Sequence, residues 1–475
     1  MTDVSILKTD LLVIGGGPGG YTAAFRAADL GMEVILIDEN HQLGGVCLNK
    51  GCIPSKSLLH LSSIIDESKK ASAMGVKFKS PEISVKSIHR WKNNVIKRLN
   101  EGISKLSKVR NIKVLTGHAS FKSANLVSVN DKQNKNIDVN FNNCIISTGS
   151  SPSIIQHLNK NHPSILDSTS ALNFNDIPES LLVIGGGYIG LELGSVFSSL
   201  GSKVTIAEFM KSLLSMADDD LVNPLYKILK EKFENIYLST EVTSLVPQAN
   251  GNVIASFKQN ENVFKDSFSN VLICAGRVPN TSSISVEKTG IKLDPKGFIP
   301  VNQQRRTLIP NIYAIGDVTG DPMLAHKASA EGKVAAEAIC GLKSVFNPTS
   351  IPSVIYTSPE IAWVGFNEKE LNEKNIKYKK AEFPWGASGR ALSIGAQNGK
   401  TKILVNPEND KILGVGIVGH NAGDIISEAA LAIEMQAVAE DLSLTIHPHP
   451  TLSETLFNAS EILTGSITDL FIPQK

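Results

Sequence analysis

The chain has 475 residues, 20% of them charged, and a formal net charge of +1 at neutral pH. That length suits three or so domains at ~100–200 residues each, and the balanced charge excludes a global basic field for nucleic acid or an anionic membrane. Five cysteines, few and odd in number, argue against a secreted disulfide framework; with no secretory or Arg-rich targeting segment and no apolar run of ~18 residues, a cytoplasmic, reducing setting is expected.

Residues 10–14 read Asp-Leu-Leu-Val-Ile, the short apolar run of a buried parallel strand. Gly15-Gly16-Gly17-Pro18-Gly19-Gly20 follows, then an alanine-rich helical stretch over 21–30, then a second apolar strand over 33–37 that ends on Asp38. This is the dinucleotide-binding order of strand, Gly-x-Gly-x-x-Gly, helix, strand, acidic residue. Gly15 makes the turn, Gly17 lets backbone approach a pyrophosphate, and Gly20 lets helix pack on strand. The helix N-terminus faces the phosphates, and Asp38 is placed for ribose hydroxyls.

Residues 44–56 read Gly-Gly-Val-Cys-Leu-Asn-Lys-Gly-Cys-Ile-Pro-Ser-Lys, with Cys47 and Cys52 five positions apart. On a straight helix that spacing separates the Cα atoms by roughly 8 Å, whereas a disulfide needs about 4.4–6.8 Å. A pair therefore requires bent backbone, which Gly51 permits. On spacing alone four readings stand: a reducible redox pair, two inert thiols, half of a zinc site, or a structural disulfide. The cysteine usage disfavours the last. Cys144, Cys274 and Cys340 lie in apolar surroundings and read as small buried hydrophobes.

Residues 60–110 carry long helical patterns rich in Lys and Ser, and 111–147 read as strands, with an exit turn at Gly149. The opening pattern then returns. An apolar strand over 181–184 leads into Gly185, Gly186, Gly187 and Gly190, a helix over 191–200, and a strand over 203–207 that ends on Glu208. Gly15 to Asp38 and Gly185 to Glu208 are both 23 positions, an internal repeat that implies a second dinucleotide. Glu208 suits a free ribose 2′-hydroxyl and repels a 2′-phosphate, favouring NAD over NADP.

Residues 271–280 form another strand-to-turn exit, at Gly276. Residues 311–317 form a strand ending in Gly316-Asp317, before a helix over 327–340. Asp317 can cap that helix or hold a ligand hydroxyl at the strand's end. After about 347, prolines mark a boundary. Strands over 362–366, 402–405 and 412–418 and a helix over 424–438 then read as a separate α+β unit for substrate binding or dimerisation. The last motif is His447-Pro-His449-Pro-Thr451-Leu-Ser-Glu454. Thr451 and Glu454 have capping-box spacing. His449, held between prolines, suits a positioned base, and Glu454 can orient its ring.

Together these motifs resemble the flavin-dependent pyridine nucleotide–disulfide oxidoreductases over nearly the whole chain. The resemblance rests on both glycine fingerprints, residues 44–56, Ser147-Thr148-Gly149, Gly276-Arg277-Val-Pro-Asn280, Tyr313-Ala-Ile-Gly316-Asp317 and the His449–Glu454 run. The cysteine and histidine stretches are similar to the branch that oxidises dihydrolipoamide. The resemblance implies an α/β fold with two Rossmann-like dinucleotide-binding domains and a C-terminal α+β dimerisation domain. Residues 1–150 with 277–347 would bind FAD, 151–276 NAD, and 348–475 would form the interface. FAD is implied on Gly15, Gly17, Gly20, Asp38, Gly149, Asp317 and the backbones of Ala119 and Ala325, with Lys56 near the flavin and paired with Glu192. NAD is implied on Gly185, Gly186, Gly187, Ile189, Gly190 and Glu208, with backbone contacts from Val242 and Gly276 and with Tyr188 over the nicotinamide pocket.

The same resemblance implies that Cys47 and Cys52 are a redox-active disulfide, Cys47 facing substrate and Cys52 the flavin. His449, oriented by Glu454 and contributed across a homodimer interface, would be the base, and no metal is expected. The implied reaction oxidises protein-bound dihydrolipoamide and reduces NAD⁺. The lipoyl group would come from a partner: the acyltransferase of a 2-oxo acid dehydrogenase complex or the glycine-cleavage lipoyl protein. A glutathione-reductase-like enzyme is the alternative, and Glu208 and the His447-x-His449 pattern stand against it.

Overall fold

The computed structural model describes residues 5–131, 136–158 and 161–472. The chain divides into two compact units, one of residues 1–57, 84–154 and 276–347, the other of 58–83, 155–275 and 348–475.

The first unit is built on β1 (Ser5–Ile14). Side chains alternate across a strand. Leu11 and Val13 therefore enter one core, with Ala23, Ala24 and Ala27 of α1 (Pro18–Asp29), while Leu12 and Ile14 enter another, with Phe121 and Phe141. Both faces are covered, which is why this strand is apolar throughout. The helix starts at Pro18 rather than at 21, since proline suits a first helical position. β2 (Val34–Asp38), β3 (Lys113–Thr116), β4 (His118–Ser123), β5 (Leu126–Asn130) and β6 (Asn136–Ile146) give the order β3-β2-β1-β6-β5-β4. The strand Ile312–Ala314 runs parallel to β6. The chain leaves β1 to one side and returns at β6 on the other, a topological switch whose crevice lies at the strands' carboxyl ends. Residues 15–20, 147–149 and 316–317 all follow such ends. The helix Ala325–Ile339 packs on α1 through small residues, and a Cβ on Gly332 would lie 2.6 Å from the Gly19 carbonyl oxygen.

The second unit repeats the parallel arrangement with Asn235–Tyr237, Lys203–Ala207, Ser180–Ile184, Asn270–Ile273 and Ile165–Leu166 side by side. Its 348–475 segment forms a five-stranded antiparallel sheet in the order Ser353–Ile355, Glu360–Gly365, Ile412–Gly419, Lys400–Val405, Lys379–Pro384. The helices Ala422–Glu434 and Glu454–Thr464 pack on this sheet around fully buried Trp385. The helix expected over 424–438 runs from Ala422 to Glu434 and ends early because the chain turns at Gln436, at φ 58°; a separate short helix, Ala439–Leu444, follows. The Lys402 ammonium is buried in this unit, 2.7 Å from Asp218 Oδ2, 2.7 Å from Asp220 Oδ1 and 2.8 Å from Glu368 Oε1. Among the described residues no helix is long and apolar enough to cross a membrane.

Candidate active site

The two fingerprints fold alike. Gly15 and Gly185 have φ of +101° and +109°, and a Cβ on either would strike the carbonyl oxygen of Ser147 or Cys274. Gly20 and Gly190 are pressed on the oxygens of Gly15 and Gly185. The middle glycines differ: a Cβ on Gly17 would meet nothing nearer than Gly45 Cα at 3.9 Å, and one on Gly187 nothing within 4 Å. The protein's own packing makes no demand for glycine there. The open space beside each helix N-terminus fits the pyrophosphate of a dinucleotide. Ile189 and Tyr188 open the helix Tyr188–Leu200, Val242 is buried in the strand Thr240–Pro247, and Gly276 begins the last segment of the first unit.

Asp38 and Glu208 carry a role that the sequence did not announce. Asp38 Oδ2 accepts the Gly16 N–H at 2.7 Å and Oδ1 that of Asn40 at 2.8 Å; Glu208 takes the N–H groups of Gly186 and Met210. Each acid thus ties its fingerprint turn to the second strand. The carbonyl oxygens of the same glycines accept the N–H of Gly44 at 2.7 Å and of Leu214 at 3.1 Å. Leu43 and Leu213 lie against Gly16 and Gly186 in the same way. The repeat therefore extends, at a constant offset of 170 positions, into the loop before the cysteines.

Cys47 lies on α2 (Gly45–Lys50) and Cys52 opens α3 (Cys52–Lys70). Gly51, at φ −146° and ψ −102°, separates the two helices, supplying the bend that one straight helix lacks. Cys47 and Cys52 meet across this bend as a hydrogen-bonded pair. This bond first, then burial, pushes the Cys47 thiol up, while the Lys56 ammonium acts in the opposite sense. Of the other cysteines Cys144 is fully buried. Cys274 and Cys340, at the ends of their elements, are only partly buried.

The two strand-to-turn exits pair with each other. Ser150–Pro152 and Arg277–Pro279 form an antiparallel ladder, and Asn280 exchanges hydrogen bonds with Thr148 and Gly149. Gly149 has φ +71° with open space where a Cβ would lie. Ser150 Oγ donates to Asp317 Oδ2 at 2.5 Å and accepts from Arg277 Nε at 2.7 Å. Asp317 therefore caps no helix; its carboxylate is aimed by Ser150 from inside the turn Gly316–Thr319. Glu331, fully buried, accepts the Gly316 N–H at 2.6 Å and pairs with Arg305 and Lys327, fixing that turn. Ala325 is the first residue of its helix, and Ala119 is buried in β4.

In the second unit, Glu192 is buried and its Oε1 accepts the Tyr356 N–H at 3.0 Å. His449 is 79% exposed. Its Nδ1 bonds Glu454 Oε1 at 2.8 Å, while Glu454 Oε2 accepts the Thr451 N–H at 2.6 Å. One carboxylate does both jobs: it leaves His449 Nε2 as the bare nitrogen of a neutral ring, and it holds the backbone ahead of the last helix. The reciprocal half of the expected capping box is missing. The helix begins at Glu454 itself, so Glu454 is not at the third helical position, and Thr451 Oγ1 is buried without a partner. His447 is nearly buried and spans Glu428 Oε1 at 2.7 Å and the Thr445 carbonyl at 2.8 Å, whereas the His449 ring is exposed.

A family model described as pyridine nucleotide-disulphide oxidoreductase matches residues 9–332, and its dimerisation-domain companion matches 351–460. A dihydrolipoyl dehydrogenase of Vibrio parahaemolyticus is 45% identical over 464 residues, 98% of this chain and 97% of that protein. One from Buchnera aphidicola subsp. Schizaphis graminum is 46% identical over 472 residues, 99% and 98% of the two chains. Among solved structures, the HOCl-induced flavoprotein disulfide reductase RclA of Escherichia coli superposes with a TM-score of 0.85 at 25% identity, covering 96% of this chain and 100% of its own.

Proposed function

Because the chain belongs to the pyridine nucleotide-disulphide oxidoreductase family, we infer from its site how it oxidises protein-bound dihydrolipoamide with NAD⁺ as acceptor. The cofactors are FAD and NAD. Gly15, Gly17, Gly20, Asp38, Ala119, Gly149, Asp317, Ala325 and Lys56 would hold FAD, which when bound would supply the two-electron link between the dithiol and NAD⁺. Residues 185–190 and Glu208 would hold NAD. In the oxidised enzyme Cys47 and Cys52 share a disulfide. His449 Nε2 takes a proton from one thiol of dihydrolipoamide, and Glu454 stabilises the imidazolium. The new thiolate attacks Cys47 sulfur and displaces Cys52 as thiolate. The second lipoyl thiol attacks its neighbouring sulfur and expels Cys47, which takes up its proton, so lipoamide leaves as a disulfide. The overall reaction is dihydrolipoamide plus NAD⁺ to lipoamide, NADH and a proton.

The observation that carries this reading is the meeting of Cys47 and Cys52 across the bend at Gly51. The FAD domain comprises 1–150 with 277–347, the NAD domain 151–276, and the interface domain 348–475. The homodimer is supported by the dimerisation-domain match and by exposed apolar side chains within it, Leu431, Met435, Leu444 and Ile446, the last 95% exposed. The partners are the lipoylated acyltransferase of a 2-oxo acid dehydrogenase complex or the glycine-cleavage lipoyl protein, in the cytoplasm. Anaerobic titration with NADH, followed by absorbance, should show flavin bands with a long-wavelength thiolate charge-transfer shoulder. Cys52→Ser should lose that shoulder together with NAD⁺ reduction by dihydrolipoamide. Near-normal turnover of Cys52→Ser would overturn the relay. Preference for NADPH and oxidised glutathione over NADH and lipoamide would overturn the substrate assignment.

A further inference from the structure

Asn49 lies between the two cysteines on α2, a helix of only six residues and too short to stand alone. Its Nδ2 donates to the carbonyl oxygens of Leu43 and Gly45, both at 3.1 Å. Both N–H bonds are then spent, so its Oδ1 has a fixed direction. It accepts from Asn100 Nδ2 at 2.9 Å, and Asn100 lies within α4 (Val85–Val109). The second Asn100 N–H reaches Gln42 Oε1 at 3.4 Å. Asn100 is 7% exposed, and its Oδ1 is buried with no partner. An unmet buried acceptor asks for an explanation, since an apolar side chain of that size would fill the place without it.

We propose that Asn49 and Asn100 are positioning residues for the Cys47–Cys52 pair and set how readily it closes to a disulfide. The proposal rests on the redox-pair reading above. The loop over 43–49 has two anchors. At one end Gly44 N–H hangs on Gly16 oxygen; at the other, Asn49 ties the carbonyls on either side of Gly44 to α4. Cys47 lies next to the second anchor. Cys52 heads a helix of 19 residues and needs no such support, so the sulfur that must be held in place is that of Cys47. Closing the disulfide requires the sulfurs to reach about 2.05 Å. Holding α2 near that geometry raises the effective concentration of one thiol at the other. Releasing it favours the dithiol. Closure forms the S–S bond, releases two protons and passes two electrons to the oxidised member of the buffer or to NAD⁺.

The test uses the FAD-loaded dimer equilibrated with mixtures of dihydrolipoamide and lipoamide, quenched by alkylation, with Cys47 and Cys52 thiols counted by mass spectrometry. Asn100→Leu removes the bond and the unmet acceptor together. Asn100→Asp, of the same size, sets an acceptor against Asn49 Oδ1 and serves as the second variant. Both should shift the equilibrium at least tenfold toward the dithiol, about 30 mV for a two-electron couple, with flavin content unchanged. Variants that keep full flavin and match the parent within twofold would overturn the positioning role. A parent enzyme that forms no Cys47–Cys52 disulfide at any ratio would instead sink the redox-pair reading, so the two failures are distinct.

Discussion

Replacing Lys402 by methionine leaves an unbranched side chain one atom shorter and removes its charge. Lys402 is 1% exposed, and its ammonium contacts three carboxylates. Their oxygens lie within 4.8 Å of one another, where two bare negative charges repel by about 3.5 kcal/mol at an effective dielectric constant of ~20. Breaking a buried ion pair from one side costs about 3–5 kcal/mol. Asp220 and Glu368 are 26% and 20% exposed, so water recovers part of this and the lower end is expected. The pH dependence gives the sign. In the parent, burial works to raise the Asp218 pKa, but the Glu368 N–H and the Lys402 ammonium prevail and hold it low; Glu368 is likewise held low against its burial. Carboxylates with depressed pKa values stabilise the fold above their unfolded range and lose that effect only as pH falls through the lower folded values. Without the ammonium the same groups take up protons more readily, so the variant is least impaired in mild acid. Calorimetry at pH 5.5 and 7.5 should find the variant's thermal midpoint below the parent's, with the gap wider at pH 7.5. Equal midpoints at both pH values, or a gap that narrows as pH rises, would refute the reasoning.

Gly187→Ala should fold normally, because its Cβ meets nothing within 4 Å, yet raise the KM for NAD⁺ at least tenfold by standing where the pyrophosphate lies. Gly190→Ala, 2.2 Å from the Gly185 oxygen, should instead lower the thermal midpoint by an amount matching about 1–3 kcal/mol of overpacking. His449→Gln should lower lipoamide turnover by ~10²–10⁴ while leaving NADH oxidation by a one-electron dye intact; a matching loss in both assays would remove it as the base. Both ring nitrogens of His118 face acceptors, Glu39 Oε1 and the Ser283 carbonyl, and its pKa is raised from 6.5, first by the Glu39 hydrogen bond. That stabilisation is full below 6.5 and is lost as pH rises through the folded value. His118→Gln should therefore lower the thermal midpoint at pH 6 more than at pH 9, and a constant difference would contradict the assignment.

Much of the site was legible because backbone geometry dictates its residues. Gly15, Gly185 and Gly149 sit at positive φ, and Gly17 and Gly187 leave room for a ligand, so these positions declare themselves as glycine in the sequence. Gly51 likewise signalled the bend that lets Cys47 and Cys52 meet. What stayed hidden depends on partners distant in sequence. Nothing near Ser150 announces Arg277 or Asp317, and the clasp between Gly149 and Asn280 joins turns that each look complete alone. Lys402 reads as an ordinary strand lysine, because its three carboxylates lie 184, 182 and 34 positions away in sequence. The capping-box spacing of Thr451 and Glu454 was correct in pattern, but the helix begins later, and the one carboxylate serves both the Thr451 N–H and His449.

The shared hook at Gly16 and Gly186 makes the molecule its own control experiment. In the second copy the loop reached by Leu214 is suspended from the fingerprint turn as the cysteine loop is, with no cysteine in it. The suspension is therefore indifferent to thiol chemistry. Redox function is an addition to a loop that already had its shape, so both cysteines are replaceable by serine without dismantling the nucleotide frame beneath them.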